Sequence, residues 1–188
     1  TTPISIAVDP DFEVFRRPQT GELPAALDQL YTQTPKTVVL ARQTDKMMQP
    51  AWEALAKQWA AINPGITIQY DDEPLPNSGM LILLGGDNAA LTHFLEQTGQ
   101  SSNLTELSTI LSQEGYLCGI HTLAVTFSAG EQNVLLLAAD NPDGLDKLIA
   151  KLPHYGKYSY VIFHSISGDN IAKGQWVVTD SPMNMMSE

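Results

Sequence analysis

Four histidines, one cysteine and 21 acidic residues are what this 188-residue sequence offers for metal, covalent or acid–base chemistry. His93, His121, His154 and His164 show no HExxH or HxH spacing, and zinc needs three or four convergent ligands. Cys118 and His121 lie close enough to suggest a thiol–imidazole pair. In a regular strand, however, an odd separation sends them to opposite faces, so Cys118 reads as a small buried hydrophobe. The run His164-Ser165-Ile166-Ser167-Gly168 lacks the first glycine of a GxSxG elbow, and no helix is evident behind it. Thr1 has the chemistry of an amino-terminal nucleophile, but a cut from a longer chain explains it more simply. Asn103-Leu104-Thr105 is a glycosylation sequon only on a eukaryotic secretory route, and its capping role suffices here. The residues therefore give no catalytic set, no metal set and no cofactor motif.

A weaker signal comes from the turns that follow strands. Gly85-Gly86-Asp87 lies between an apolar strand and a helix, where backbone N–H groups cradle anions in many α/β proteins. It matches neither a Walker loop nor GxGxxG, and Asp87 places a negative charge at that spot. Thr44-Asp45 and Asp140-Asn141 occupy equivalent turns, all at the carboxyl edge where open α/β sheets bind ligands. Arg42 is the one cation expected there. The candidate ligand-binding residues are thus Arg42, Gly85, Gly86, Asp87 and Asp140, suited to a small cationic or hydroxyl-rich molecule. Helix capping accounts for the same residues without a ligand, Asp87 or Asn88 being the cap.

The elements that must position these turns are legible from periodicity. Apolar runs at residues 37–41, 80–84, 133–138 and 158–163 read as inner strands covered on both faces. Met48, Trp52, Leu55, Trp59 and Ile62 form one helical stripe, with Thr44 or Asp45 as cap, Pro50 in the opening turn and Asn63-Pro64-Gly65 as the stop. Residues 66–70 form the next strand and Asp71-Asp72-Glu73-Pro74 an acidic loop. A helix carrying Leu91, Phe94 and Leu95 ends at Gly99, and Asn103-Leu104-Thr105-Glu106 opens a second short one. Residues 115–127 and 133–138 pair as a hairpin, Asn141-Pro142 starts the last helix, and residues 175–179 add an edge strand. The expected architecture is an α/β three-layer sandwich with a mixed, mostly parallel sheet over residues 36–188. Residues 1–35 form a partly extended N-terminal β extension, with a short helix near residues 23–31, and read as the end of a preceding domain.

Composition limits the partners. Ten Lys and Arg against 21 Asp and Glu give a net charge of −11, which repels nucleic-acid backbones and anionic lipid. At 43% hydrophobic and 16% charged the chain buries a core, yet no apolar run reaches the roughly 18–20 residues of a membrane span. There is no signal peptide and no starting Met, and the chain opens almost directly into a strand at Ile4-Ser5-Ile6, as an excised piece would.

Three stretches carry a family likeness: Val8-Asp9-Pro10-Asp11-Phe12-Glu13-Val14-Phe15-Arg16-Arg17 with Glu22-Leu23-Pro24; Leu152-Pro153-His154-Tyr155-Gly156-Lys157-Tyr158-Ser159-Tyr160-Val161-Ile162-Phe163; and Asn170-Ile171-Ala172-Lys173-Gly174-Gln175-Trp176, running on to Ser181-Pro182. In this order the chain resembles the region C-terminal to the catalytic domain of large bacterial M1-type (gluzincin) metallopeptidases. M1 enzymes bind zinc through HExxH and a distal glutamate, and their exopeptidase members, the aminopeptidases, use a GxMEN-like strand. Neither motif is present, so no catalytic or metal residue carries over. The resemblance implies a non-catalytic accessory domain of a cell-envelope or periplasmic peptidase, without a cofactor, whose partner is the rest of its parent chain. Its docking surface would combine Phe12, Phe15, Arg16 and Arg17 with Trp176 near the other end, since domain termini often meet. The alternative is a free-standing small-molecule binder using the carboxyl edge of the sheet.

Overall fold

Strands whose every residue is apolar need cover on both faces, and the computed structural model, which describes residues 5–7, 23–98, 105, 121–129, 132–176 and 184–186, supplies it. Strand β1 (Ser5–Ala7) pairs antiparallel with β9 (Asn184–Met186) in a separate two-stranded sheet. The main sheet holds seven strands in the order β3-β2-β4-β6-β5-β7-β8. They are β2 (Lys36–Leu40), β3 (Ile66–Tyr70), β4 (Met80–Leu84), β5 (His121–Ala129), β6 (Gln132–Ala139), β7 (Tyr160–His164) and β8 (Asn170–Gly174). Three neighbouring pairs are parallel (β2 with β3, β2 with β4, β4 with β6) and three antiparallel (β5 with β6, β5 with β7, β7 with β8). Counted by direction, β2, β3, β4, β6 and β7 run one way, and β5 and β8 the other. The sheet is mixed as expected, but its pairing is evenly divided, because the β5–β6 hairpin places β5 between two strands that run in a common direction.

Helix α1 (Gln49–Ile62) and helix α3 (Pro142–Lys151) cover one face, and α2 (Ala89–Thr98) the other. Alternation along each strand divides the core accordingly. Val38, Leu40, Ile82, Leu84, Leu135 and Leu137 meet α1 and α3, whereas Val39, Leu81, Leu83, Val134 and Leu136 meet α2. This is a three-layer α/β sandwich. Helix α3 begins as its sequence requires: the Asn141 side chain accepts a 2.7 Å hydrogen bond from Gly144 N, and Pro142 stands where no N–H is needed. Helix α1 starts later than the caps implied, at Gln49 after a turn in which Asp45 accepts from Met47 N at 2.7 Å, and Pro50 sits in its opening turn.

Two segments differ from the sequence expectation. Residues 23–35, assigned to the extension, belong to the sandwich: Leu27 is fully buried in the core and a 3-10 turn, Leu27–Tyr31, replaces the short helix. Leu27 N and Asp28 N donate to Tyr158 O and Gly156 O, both at 2.9 Å, so the turn is held by the segment leading into β7. An edge strand forms at Asn170–Gly174, earlier than expected; Gln175 and Trp176 lie outside any strand, and residues 177–179 of the expected strand lie outside the described residues. A tight turn with Gly168 at φ +75° folds the chain straight back onto β7, and a register shift at Ile162/Phe163 lets Asn170 Nδ2 donate to Ile162 O at 3.1 Å. The short helix expected after Asn103 lies outside the described residues apart from Thr105, which is helical.

Candidate functional site

Parallel strands β2 and β4 deliver Arg42 and the Gly85-Gly86-Asp87 turn to the carboxyl edge, as anticipated, and β3 brings the acidic loop beside them. There these groups satisfy one another. The Arg42 guanidinium lies 3.6 Å from the centre of the Tyr70 ring and pairs with Asp72 at 3.1 Å and Glu73 at 3.8 Å. Its hydrogen bonds to Asp72 raise the Arg42 pKa and lower that of the Asp72 carboxyl. Asp71 accepts from Arg42 N at 2.8 Å with one oxygen and from Ala89 N at 2.9 Å with the other. A carboxylate of the chain itself therefore fills the anion position at the start of α2.

The remaining turn groups are used in the same way. Gly85 N donates to Leu137 O at 2.9 Å, Asn88 N to Gly85 O at 3.3 Å, and Ala90 N to Asn88 Oδ1 at 3.2 Å. Buried Asn88, not Asp87, is the cap of α2, and its Nδ2 also reaches Val39 O at 2.9 Å. Asp87 accepts from Thr44 Oγ1 at 3.2 Å. Gly85 is required by the turn: its φ is +96°, and a Cβ there would lie 2.6 Å from Asp87 Oδ1. A Cβ on Gly86 meets only Ala138 at an ordinary 3.6 Å.

Asp140 joins a different group. It follows β6 and accepts a hydrogen bond from His121 N, while His121 faces His164 in the β5–β7 register. Burial lowers the His121 pKa; nearby Asp140 works against that shift and His164 with it. The five candidate ligand residues are thus divided between two clusters, each tied by internal bonds. Among the described residues no group of three or more His, Cys, Asp and Glu is placed to hold a metal ion, and no helix is long and apolar enough to cross a membrane.

Of the proposed docking residues, Phe12, Phe15, Arg16 and Arg17 lie outside the described residues, as do Cys118 and Thr1. Trp176 is only 9% exposed and does not supply a surface patch. Its ring stacks 6.2 Å from Phe127 and lies tilted 4.9 Å from Tyr160, and its indole N–H donates to Thr126 O at 2.6 Å. A flat aromatic of this size, with its single donor satisfied, completes the core layer under α2.

The opposite, amino edge carries a feature the sequence did not disclose. A cavity of about 390 Å³ opens between the end of α1, the end of α3 and the Leu27–Tyr31 turn. The last apolar residues of the α1 stripe, Trp59 and Ile62, line it; Trp59 also packs against the rim of the core, whereas Ile62 is 74% exposed. The cause is length: a 14-residue helix spans about 21 Å and its five-residue strand about 17 Å, so the final turn overhangs the sheet. Lys36, the first residue of β2, lies on the floor of this region at 3% exposure. No protein-family model, curated protein or solved structure matches the chain.

Proposed function

We propose that the chain is a non-catalytic accessory domain of a larger M1-like peptidase, serving to pack against its parent or to hold protein or substrate. The observation favouring a non-catalytic role is the internal saturation of the carboxyl edge. The Arg42 guanidinium pairs with Asp72, Asp87 accepts from the Thr44 hydroxyl, and Asp71, Asn88 and, in its own cluster, Asp140 bond to backbone. A free-standing binder at that edge would have to break these bonds before it could hold a ligand. Three sequence stretches carry the link to M1 peptidases, and a bacterial cell-envelope setting follows from the same likeness. Two of those stretches fold together here: β7 and β8 pair, and Trp176 packs on Tyr160. The residues behind the likeness therefore do structural work.

The test begins with the reading frame that encodes the chain. An HExxH motif with a distal glutamate upstream of Thr1 is the expected finding, and a frame without it removes the peptidase link. On the protein side, the chain alone should release no fluorophore from aminoacyl-coumarin substrates. Turnover that survives repurification would overturn the non-catalytic assignment.

A further inference from the structure

The amino-edge cavity combines an apolar wall with a buried lysine that has no counter-ion among the described residues. Lys36 lies on the same face of β2 as Val38 and Leu40, beneath the ends of α1 and α3. Its ammonium donates to Thr32 O and, at 3.0 Å, to Thr34 O. Both acceptors are neutral carbonyls and take two of its three protons. Among the described residues no carboxylate pairs with it. A lysine this buried is ordinarily paired, because removing an ammonium from water is costly. Burial lowers its pKa accordingly.

Around that charge the walls are apolar: Leu30, Tyr31, Trp59, Ile62 and Ile149 line the cavity. Its volume of about 390 Å³ falls within the ~300–1,000 Å³ of small-molecule sites. We propose that this cavity binds a small amphipathic monocarboxylate, its apolar body against Trp59, Ile62 and Ile149 and its carboxylate on the Lys36 ammonium.

Two features select a single negative charge. One lysine supplies one positive charge, and no arginine lines the cavity. Helices α1 and α3 present their carboxyl ends to this edge; those dipoles oppose any anion, and a phosphate or sulfate dianion about twice as strongly as a carboxylate. The net charge of −11 acts in the same sense. Tyr31 and Ile62, 51% and 74% exposed, form the mouth, which leaves entry open. This site is independent of the accessory-domain reading and lies at the other end of the sheet from the saturated edge.

Titration of the isotope-labelled full chain with octanoate, 1-octanol and octyl phosphate, each below its micelle threshold, tests the proposal. Octanoate should give saturable amide shifts confined to residues 30–36, 59–66 and 149–153, with at least ~10-fold tighter binding than 1-octanol, the gain of one charge-assisted pair. Octyl phosphate should bind more weakly than octanoate. Lys36→Met should abolish the preference for octanoate over 1-octanol, and Lys36→Arg should retain part of it. Ile62→Glu, at an exposed position that leaves the core intact, should weaken octanoate binding by at least ~10-fold through charge repulsion at the mouth. No saturable shifts with octanoate, equal affinity for 1-octanol, a preference that survives Lys36→Met, or unchanged binding in Ile62→Glu would each overturn the proposal. Should Lys36→Met fail to fold, the octanol comparison and Ile62→Glu still decide it.

Discussion

Replacing Asp71 by alanine separates a structural carboxyl edge from a ligand-binding one. The two Asp71 oxygens accept from backbone N–H groups of different elements, Arg42 at the end of β2 and Ala89 at the start of α2. The bond to Ala89 acts as a helix cap, and caps are worth ~0.5–2 kcal/mol. The second bond to an ionised acceptor adds up to ~1.5 kcal/mol, discounted because water can reach this edge. Asp71→Ala should therefore cost about 1.5–3 kcal/mol. Asp71→Asn should recover little, since its amide offers one acceptor and turns an N–H donor toward another donor. Arg42→Met is the control. Its partners Asp72 and Glu73 are exposed, so the loss should be much smaller than that of Asp71→Ala. Urea unfolding followed by tryptophan fluorescence, in low and in 0.5 M (~4 Å screening length) salt, measures all three. Salt should shrink the Arg42 effect and leave most of the Asp71 effect. An Asp71→Ala protein within ~0.5 kcal/mol of the parent, or an Arg42→Met loss as large as that of Asp71→Ala, would refute the clamp.

Other consequences follow from the same geometry. Trp176→Ala should destabilise the chain by about 3–5 kcal/mol, the usual cost of emptying a buried aromatic site, as read by thermal or urea unfolding; a loss below ~1 kcal/mol would return Trp176 to the surface. Gly144→Ala should cost about 1–3 kcal/mol despite better helix propensity, because the new Cβ would lie 2.8 Å from Thr122 Cγ2 and 3.0 Å from Ser165 Cβ. The depressed pKa of His121 predicts a stability contribution present above its unfolded value of about 6.5 and lost as pH falls through the folded pKa. His121→Gln should flatten stability below pH ~6.5 in a pH series of urea midpoints, and an unchanged slope would show that other groups set it.

Where one local signal determines an element, the sequence reading and the structure coincide. Met80–Leu84 is an unbroken apolar run followed by Gly85, and it forms β4 with every position buried. Asn141-Pro142 opens α3 because a cap and a fixed φ act within four residues. Asp71 was visible only as part of an acidic loop. Its function depends on N–H groups 29 and 18 residues away, which no local pattern encodes. Trp176 is a similar case, since its burial is set by Thr126, fifty residues earlier, and by Phe127. The polar strand Asn170–Gly174 has no periodicity strong enough to announce it, and pairing with β7 alone makes it a strand.

The α1 stripe shows how a correct local reading conceals a site. Met48, Trp52, Leu55, Trp59 and Ile62 share one helical face, so sequence assigns all five to the core. Periodicity fixes the face but not how far the sheet beneath it extends. Five-residue strands support the first three and leave Trp59 half-buried and Ile62 exposed. The overhang then meets Tyr31 from a turn and Ile149 from α3, elements far apart in the chain, above a lysine at the base of β2. Had the helix ended one turn earlier, the cavity would lose Trp59 and Ile62 from its wall. An amphipathic cavity thus arises from a mismatch of about 4 Å between a helix and its strand, a quantity obtainable only once both elements are placed.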